Sequence, residues 1–128
     1  MASDSDQIAS LLGSLNDDLA VKIQAMQSQP LTWLVPDNTH WIPDWIKGNF
    51  DSVAVRISRH PVVVGLCKAF GKPLVSTSAN RAGEMPLISR ESVVACFGED
   101  VDLVTEGVIG DASSPSGIRD LVTDQVFR

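Results

Sequence analysis

The stretch "SVAVRISRHPVVVGLCKAFGKPLVSTSAN", Ser52 to Asn80, decides the fold. From Ser52 to Ser58, apolar Val53, Val55 and Ile57 alternate with Ser52, Ala54 and Arg56, the period of a strand with one face packed. Pro61 then stands where a first helical residue needs no N–H, and Val63, Leu66, Cys67 and Phe70 follow at one-face helical spacing until Gly71 supplies a stop. Leu74 and Val75 read as a short buried strand, and Ser76 to Asn80 as the loop leaving its carboxyl end. A strand, a helix and a strand in succession predict an α/β chain, with α+β as the alternative.

Working outward, Ile8, Leu11, Leu12 and Leu15 make one helical stripe, and Leu19, Ile23 and Met26 a second that ends before Pro30. "LTWLVP", Leu31 to Pro36, reads as a strand. "HWIPDWIKGNF" is a connection punctuated by Pro43 and Gly48, in which Trp41 and Trp45 read as core anchors. Ser89 can cap a helix whose apolar face includes Val93, Cys96 and Phe97 and which ends at Gly98. Leu103 and Val104 suggest a short strand, and "GIRDLVTDQVFR" two short strands around Thr123 and Asp124. The expected architecture is one domain over residues 1–128, a mixed, twisted sheet with flanking helices. No repeat, low-complexity tract or linker argues for a second.

Composition narrows the class. The chain has 128 residues, 44% hydrophobic and 20% charged, which suits an ordinary globular domain that needs no disulfide or metal staple. Cys67 and Cys96 lie in no CxxC or Cys/His spacing and read as free thiols, pointing to a cytoplasmic protein. No apolar run reaches the length of a membrane span, so no membrane association is expected. The formal net charge of -6 repels polyphosphate backbones, and no Lys/Arg cluster offers a local exception.

The chemistry-bearing residues gather at strand ends. Ligands in open α/β sheets bind at the carboxyl ends of strands, where the hydroxyls and amide of Ser76, Thr77, Ser78 and Asn80 can hydrogen-bond a phosphate or carboxylate without crowding. The same residue types also make a good turn, so both readings stand. Arg56 can fork onto a carboxylate or phosphate, or pair with an acidic neighbour. His40 and His60 sit in no nucleophile motif, and neither GxxxxGK[ST] nor GxGxxG occurs. Glu99, Asp100 and Asp102 match no calcium loop, and no metal site is expected among the protein's own ligands.

"FDSVAVRISRHPVVVGLCKAFGKPLVSTSANRAGEMP", followed by "FGEDVDLVTEG", "SSPSGIRDL" and "VFR", resembles the threonylcarbamoyl-AMP synthase family of the YrdC/TsaC type from about Ser3 through Arg128. The resemblance implies a YrdC-like fold. It also implies an enzyme that converts L-threonine, bicarbonate and ATP into threonylcarbamoyl-AMP and pyrophosphate, for N6-threonylcarbamoyladenosine formation in tRNA. ATP enters as a substrate with Mg²⁺ on its phosphates, and tRNA-modification proteins are the implied partners. Laid on this sequence, the resemblance assigns Ser52, Ser76, Ser78, Asn80 and Arg128 to ATP, and Arg56 and Ser116 to threonine. Ser78 and Asn80 form the SxN half of a KxR/SxN signature. Gly117 and Arg119 depart from the common "PSTIVD" pattern.

Neither the "YPTETVYGLG"-like segment nor the KxR element of that family occurs in this sequence. The chain is therefore expected to be a carboxyl-terminal portion with an incomplete sheet and impaired activity alone, since each lost charged contact to phosphate costs on the order of a few kcal/mol. An uncovered sheet edge predicts homodimers by edge pairing. A second reading is an RNA-binding module acting on tRNA or in ribosomal RNA maturation, which salt-sensitive RNA binding would support. A third is a remnant without a ligand, silent to ATP and threonine.

Overall fold

A computed structural model describes residues 1–25, 29–109 and 115–128. These divide into two compact units, Met1–Val75 with Ala112–Arg128, and Ser76–Asp111.

The first unit is built on β1 (Leu31–Pro36), β2 (Ser52–Val55) and β3 (Gly117–Asp120), ordered β2-β1-β3. β2 runs antiparallel to β1, with Trp33 opposite Val55 and Pro36 opposite Ser52. β3 runs parallel, with Leu31 opposite Gly117 and Leu34 opposite Asp120. The sheet is thus mixed, as the alternation of helical and strand periods required.

Side-chain alternation then sorts the sheet into two faces. Trp33, Val35, Val55 and Leu121 are buried against Ile8, Leu11 and Leu12 of the first helical stripe and Ile23 of the second. Full burial of each aliphatic side chain is worth about 1.5–3 kcal/mol, so this layer dominates the stability of the unit. The first stripe is broken into a 3₁₀ turn, Asp6–Ile8, and α1 (Ala9–Leu12). The second is α2 (Asp17–Gln24), capped by Asn16, whose side chain accepts from the Leu19 N–H at 2.9 Å. Met26, assigned to that stripe in sequence, lies outside the described residues.

α3 (Asp44–Lys47) is one turn within the β1–β2 connection. α4 (Pro61–Phe70) begins and ends where Pro61 and Gly71 predict. Gly71 adopts φ +73 and returns its N–H to Cys67 O at 2.9 Å, a left-handed closure that only glycine makes without strain.

Several expectations need correction. β2 stops at Val55, and the rest of the anticipated Ser52–Ser58 strand pairs with Ala2 instead of β1. Ala2 N–H donates to Arg56 O at 3.0 Å and Ser58 N–H to Ala2 O at 2.8 Å, and Ala2 is fully buried. Leu74 and Val75 are not a buried strand. Leu74 exchanges two main-chain bonds with Met1, and Val75 is 71% exposed. Trp41 packs against the core as expected, but Trp45 is 82% exposed and anchors nothing there.

The segment after β3 turns back on it. Asp120 Oδ1 accepts from the N–H groups of Val122 and Thr123 at 2.9 and 2.8 Å, and Asp124 takes φ +61. Ile118 and the Phe127–Arg128 pair then exchange antiparallel bonds; of the two short strands expected around Thr123 and Asp124, β3 forms, while the returning segment makes only an isolated bridge, Val126 to Arg119.

The second unit holds α5 (Arg90–Phe97), capped by Ser89, whose hydroxyl accepts from Ser92 N–H at 3.1 Å. Leu103 and Val104 form no strand, and Leu103 is 74% exposed. Among the described residues of this unit none is buried. Both cysteines are free thiols, Cys67 buried and Cys96 half-buried.

Candidate functional site

The second face of the sheet carries the even-numbered residues: Thr32, Leu34 and Pro36 from β1, Ser52 and Ala54 from β2, and Ile118 and Asp120 from β3. Arg56 and Ser116 extend the same alternation beyond the ends of β2 and β3. None of these nine residues is buried, whereas the opposite face is packed. Three of the residues singled out in sequence, Ser52, Arg56 and Ser116, are therefore brought to one open face.

Around Ser116 the geometry is closed on two sides. Its hydroxyl lies 2.9 Å from Thr32 Oγ1, and its carbonyl accepts from Arg128 Nε at 3.1 Å. Arg128 is thus drawn toward Ser116 by the hairpin that pairs it with Ile118. Gly117 and Arg119, which depart from the familiar pattern, leave β3 regular, and Gly117 N–H reaches Pro30 O at 3.0 Å. Arg119 Nε is buried without a partner among the described residues.

Arg56 makes no acidic ion pair among the described residues. Its Nη2 donates to the Met1 thioether sulfur at 2.9 Å. Burial holds the Met1 ammonium group below its usual range; the Cys67 thiol opposes this and Arg56 reinforces it. Ser52 stands opposite Pro36 at the end of the ladder, next to the Asp37 N–H to Asp51 O bond of 2.9 Å.

Behind that ladder end sits a pair that sequence reading missed. Asp37 is buried and accepts from Trp41 N–H at 2.9 Å, Ile42 N–H at 3.0 Å and Lys47 Nζ at 2.9 Å. Burial pushes the Asp37 carboxyl up, but the Lys47 ammonium group and the two N–H donors more than offset this and hold it below the ordinary range. The pair staples the β1–β2 connection so that Ser52 re-enters the sheet in register.

In the second unit, Ser76 and Ser78 are exposed in an irregular loop. Asn80 N–H returns to Ser78 O at 3.0 Å, and its Nδ2 donates to Arg81 O at 2.9 Å. The remaining polar atom, Asn80 Oδ1, is buried with no donor among the described residues. A buried acceptor left this way costs about 1–3 kcal/mol. The described residues hold no group of three or more His, Cys, Asp or Glu placed to take a metal ion, and no described helix is long and apolar enough to cross a membrane.

The family model Sua5_yciO_yrdC, described as Telomere recombination, matches residues 1–128. A threonylcarbamoyl-AMP synthase of Cellvibrio japonicus is 44% identical over 128 residues, 100% of this chain and 67% of the relative. Proteins of the same name from Marinobacter nauticus, 42% identical over 130 residues, and Chromohalobacter salexigens, 45% identical over 128, match all of this chain and 67% and 68% of their own lengths. The chain thus spans about two thirds of the length of these relatives, consistent with the portion expected from its sequence. With a mixed sheet, an open face bearing Ser52, Arg56 and Ser116, and a family match along its whole length, the chain belongs to the Sua5/YciO/YrdC family.

Proposed function

We propose that this chain carries the amino-acid subsite and part of the nucleotide subsite of a threonylcarbamoyl-AMP synthase, an ATP-using nucleotidyltransferase. The observation behind the reading is that Arg56, just past the Trp33–Val55 pair, and Ser116, just before the Leu31–Gly117 pair, lie at the same end of β1 on the less buried sheet face, with Ser52 on that face at the other end. It is supported by the relatives' shared name and their 42–45% identity.

In this reading the Arg56 fork takes the threonine carboxylate and Ser116 a polar atom of the same substrate. The threonine amine combines with bicarbonate to give a carbamate, with loss of water. A carbamate oxygen then attacks the α-phosphorus of ATP, and pyrophosphate leaves with the electron pair of the broken P–O bond. Such chemistry needs positioning and relief of phosphate charge more than a protein nucleophile. We assign Ser76, Ser78 and Asn80, and separately Arg128, to the nucleotide. Mg²⁺ would accompany ATP as part of the substrate and would offset the charge of its phosphates. We place the protein in the cytoplasm, as one YrdC-like domain supplying threonylcarbamoyl-AMP to tRNA-modification proteins, with homodimerisation through a sheet edge as a further part of the proposal.

The test is threonine- and bicarbonate-dependent pyrophosphate release from ATP. It is run with the chain alone and with the chain joined by the third of a relative's length that it does not match. Release in the second reaction, lost in Arg56→Ala, supports the reading. Absence of release from both reactions, with salt-sensitive binding of tRNA instead, would favour the RNA-binding alternative.

A further inference from the structure

We infer that Thr32 is a positioning residue for the amino-acid subsite: its hydroxyl holds the Ser116 hydroxyl in the orientation that meets the substrate. This rests on the function proposed above and extends it to a residue that neither motif nor resemblance singled out.

Thr32 and Ser116 come from segments 84 residues apart in sequence and meet at 2.9 Å on the half-buried open face. Parallel pairing of β1 with β3 brings them together, since Thr32 stands opposite Ile118 and Ser116 lies one alternation earlier on the same face. A hydroxyl pair shares one hydrogen between its two oxygens and leaves one O–H free to point outward. The Ser116 main chain is also held, by Arg128 Nε at 3.1 Å, so the side-chain torsion is the freedom that remains, and Thr32 removes it. Threonine suits this task because its β-branch restricts its own rotamer, which serine does not do. Ser116 Oγ is thereby presented in a preset direction, and the entropy cost of ordering it falls on folding instead of on binding.

The experiment measures threonine affinity by calorimetry on the full chain at saturating ATP, with ATP affinity and melting temperature recorded for each variant. Thr32→Val keeps the shape and deletes the hydroxyl; it is expected to weaken threonine binding about tenfold while ATP binding is retained. Thr32→Ser is expected to restore most of the affinity, and Ser116→Ala combined with Thr32→Val to be no weaker than Ser116→Ala alone. Equal threonine affinity in Thr32→Val and wild type overturns the inference and leaves the functional reading standing. So do parallel losses for threonine and ATP, or strictly additive effects of the two substitutions. Where wild type binds neither ligand even when joined by the third of a relative's length that it does not match, the functional reading falls and the inference with it. Should Thr32→Val fail to fold, Thr32→Ala decides: a selective loss of threonine affinity with ATP affinity retained supports the inference, and unchanged threonine affinity overturns it.

Discussion

Lys47 Nζ stands 2.9 Å from Asp37 Oδ2, and the two side chains are 3% and 0% exposed, an ion pair closed off from water inside the β1–β2 connection. Removing two charges from water is costly, and the carboxylate recovers that cost only because two backbone N–H groups share it. The partners are therefore unequal. Asp37→Ala leaves a buried ammonium group and two backbone donors unanswered, and is expected to destabilise the first unit by about 3–5 kcal/mol. Lys47→Met leaves Asp37 with both N–H donors and is expected to cost clearly less. Urea unfolding of both variants checks the order.

The same carboxylate sets the response to acid. Asp37 and Asp120 both titrate below the usual carboxylate range in the folded protein, Asp37 through Lys47 and its N–H donors despite burial, Asp120 chiefly through the Thr123 N–H. A folded pKa below the unfolded one means that the unfolded chain binds protons first, so the contribution is present above the unfolded value and lost as pH falls through the folded one. Stability is expected to hold from neutrality to about pH 5 and to fall below about pH 4, near the unperturbed carboxyl value. Asp37→Asn should flatten that acid limb, read from urea midpoints against pH.

Arg56 offers a test of geometry against charge. Lysine keeps the charge but presents a point donor, so Arg56→Lys is expected to lose about tenfold or more in threonine affinity while leaving the melting temperature nearly unchanged. Calorimetric titration with threonine at saturating ATP reads the loss.

Gly71 closes α4 at φ +73 with no atom near the position of a Cβ. Gly71→Ala therefore meets no steric obstacle, only the left-handed backbone, and is expected to cost about 1–2 kcal/mol in urea unfolding.

The two thiols should separate by access. Cys67 is fully buried and Cys96 half-buried, so iodoacetamide is expected to label Cys96 first and Cys67 only as the protein unfolds, followed by mass spectrometry.

What the sequence by itself determined was whatever depends on neighbours along the chain. Pro61 and Gly71 bracket α4, Ser89 caps α5, and the run from Leu31 to Pro36 is β1, because caps, stops and side-chain periods act within a few residues. The positions of Ser52 and Arg56 on one face were legible for the same reason, as alternation in "SVAVR" places both opposite Val53 and Val55. Only the tertiary structure decided which strands pair. Ala2 takes the place beside Ile57, Met1 binds Leu74, and Val75 and Trp45 stay exposed although their composition suggested burial. The meeting of Thr32 with Ser116 and of Asp37 with Lys47 belongs to the same class. Each such contact depends on two segments arriving at one place, and its energy comes from burial and hydrogen bonding that no local propensity encodes.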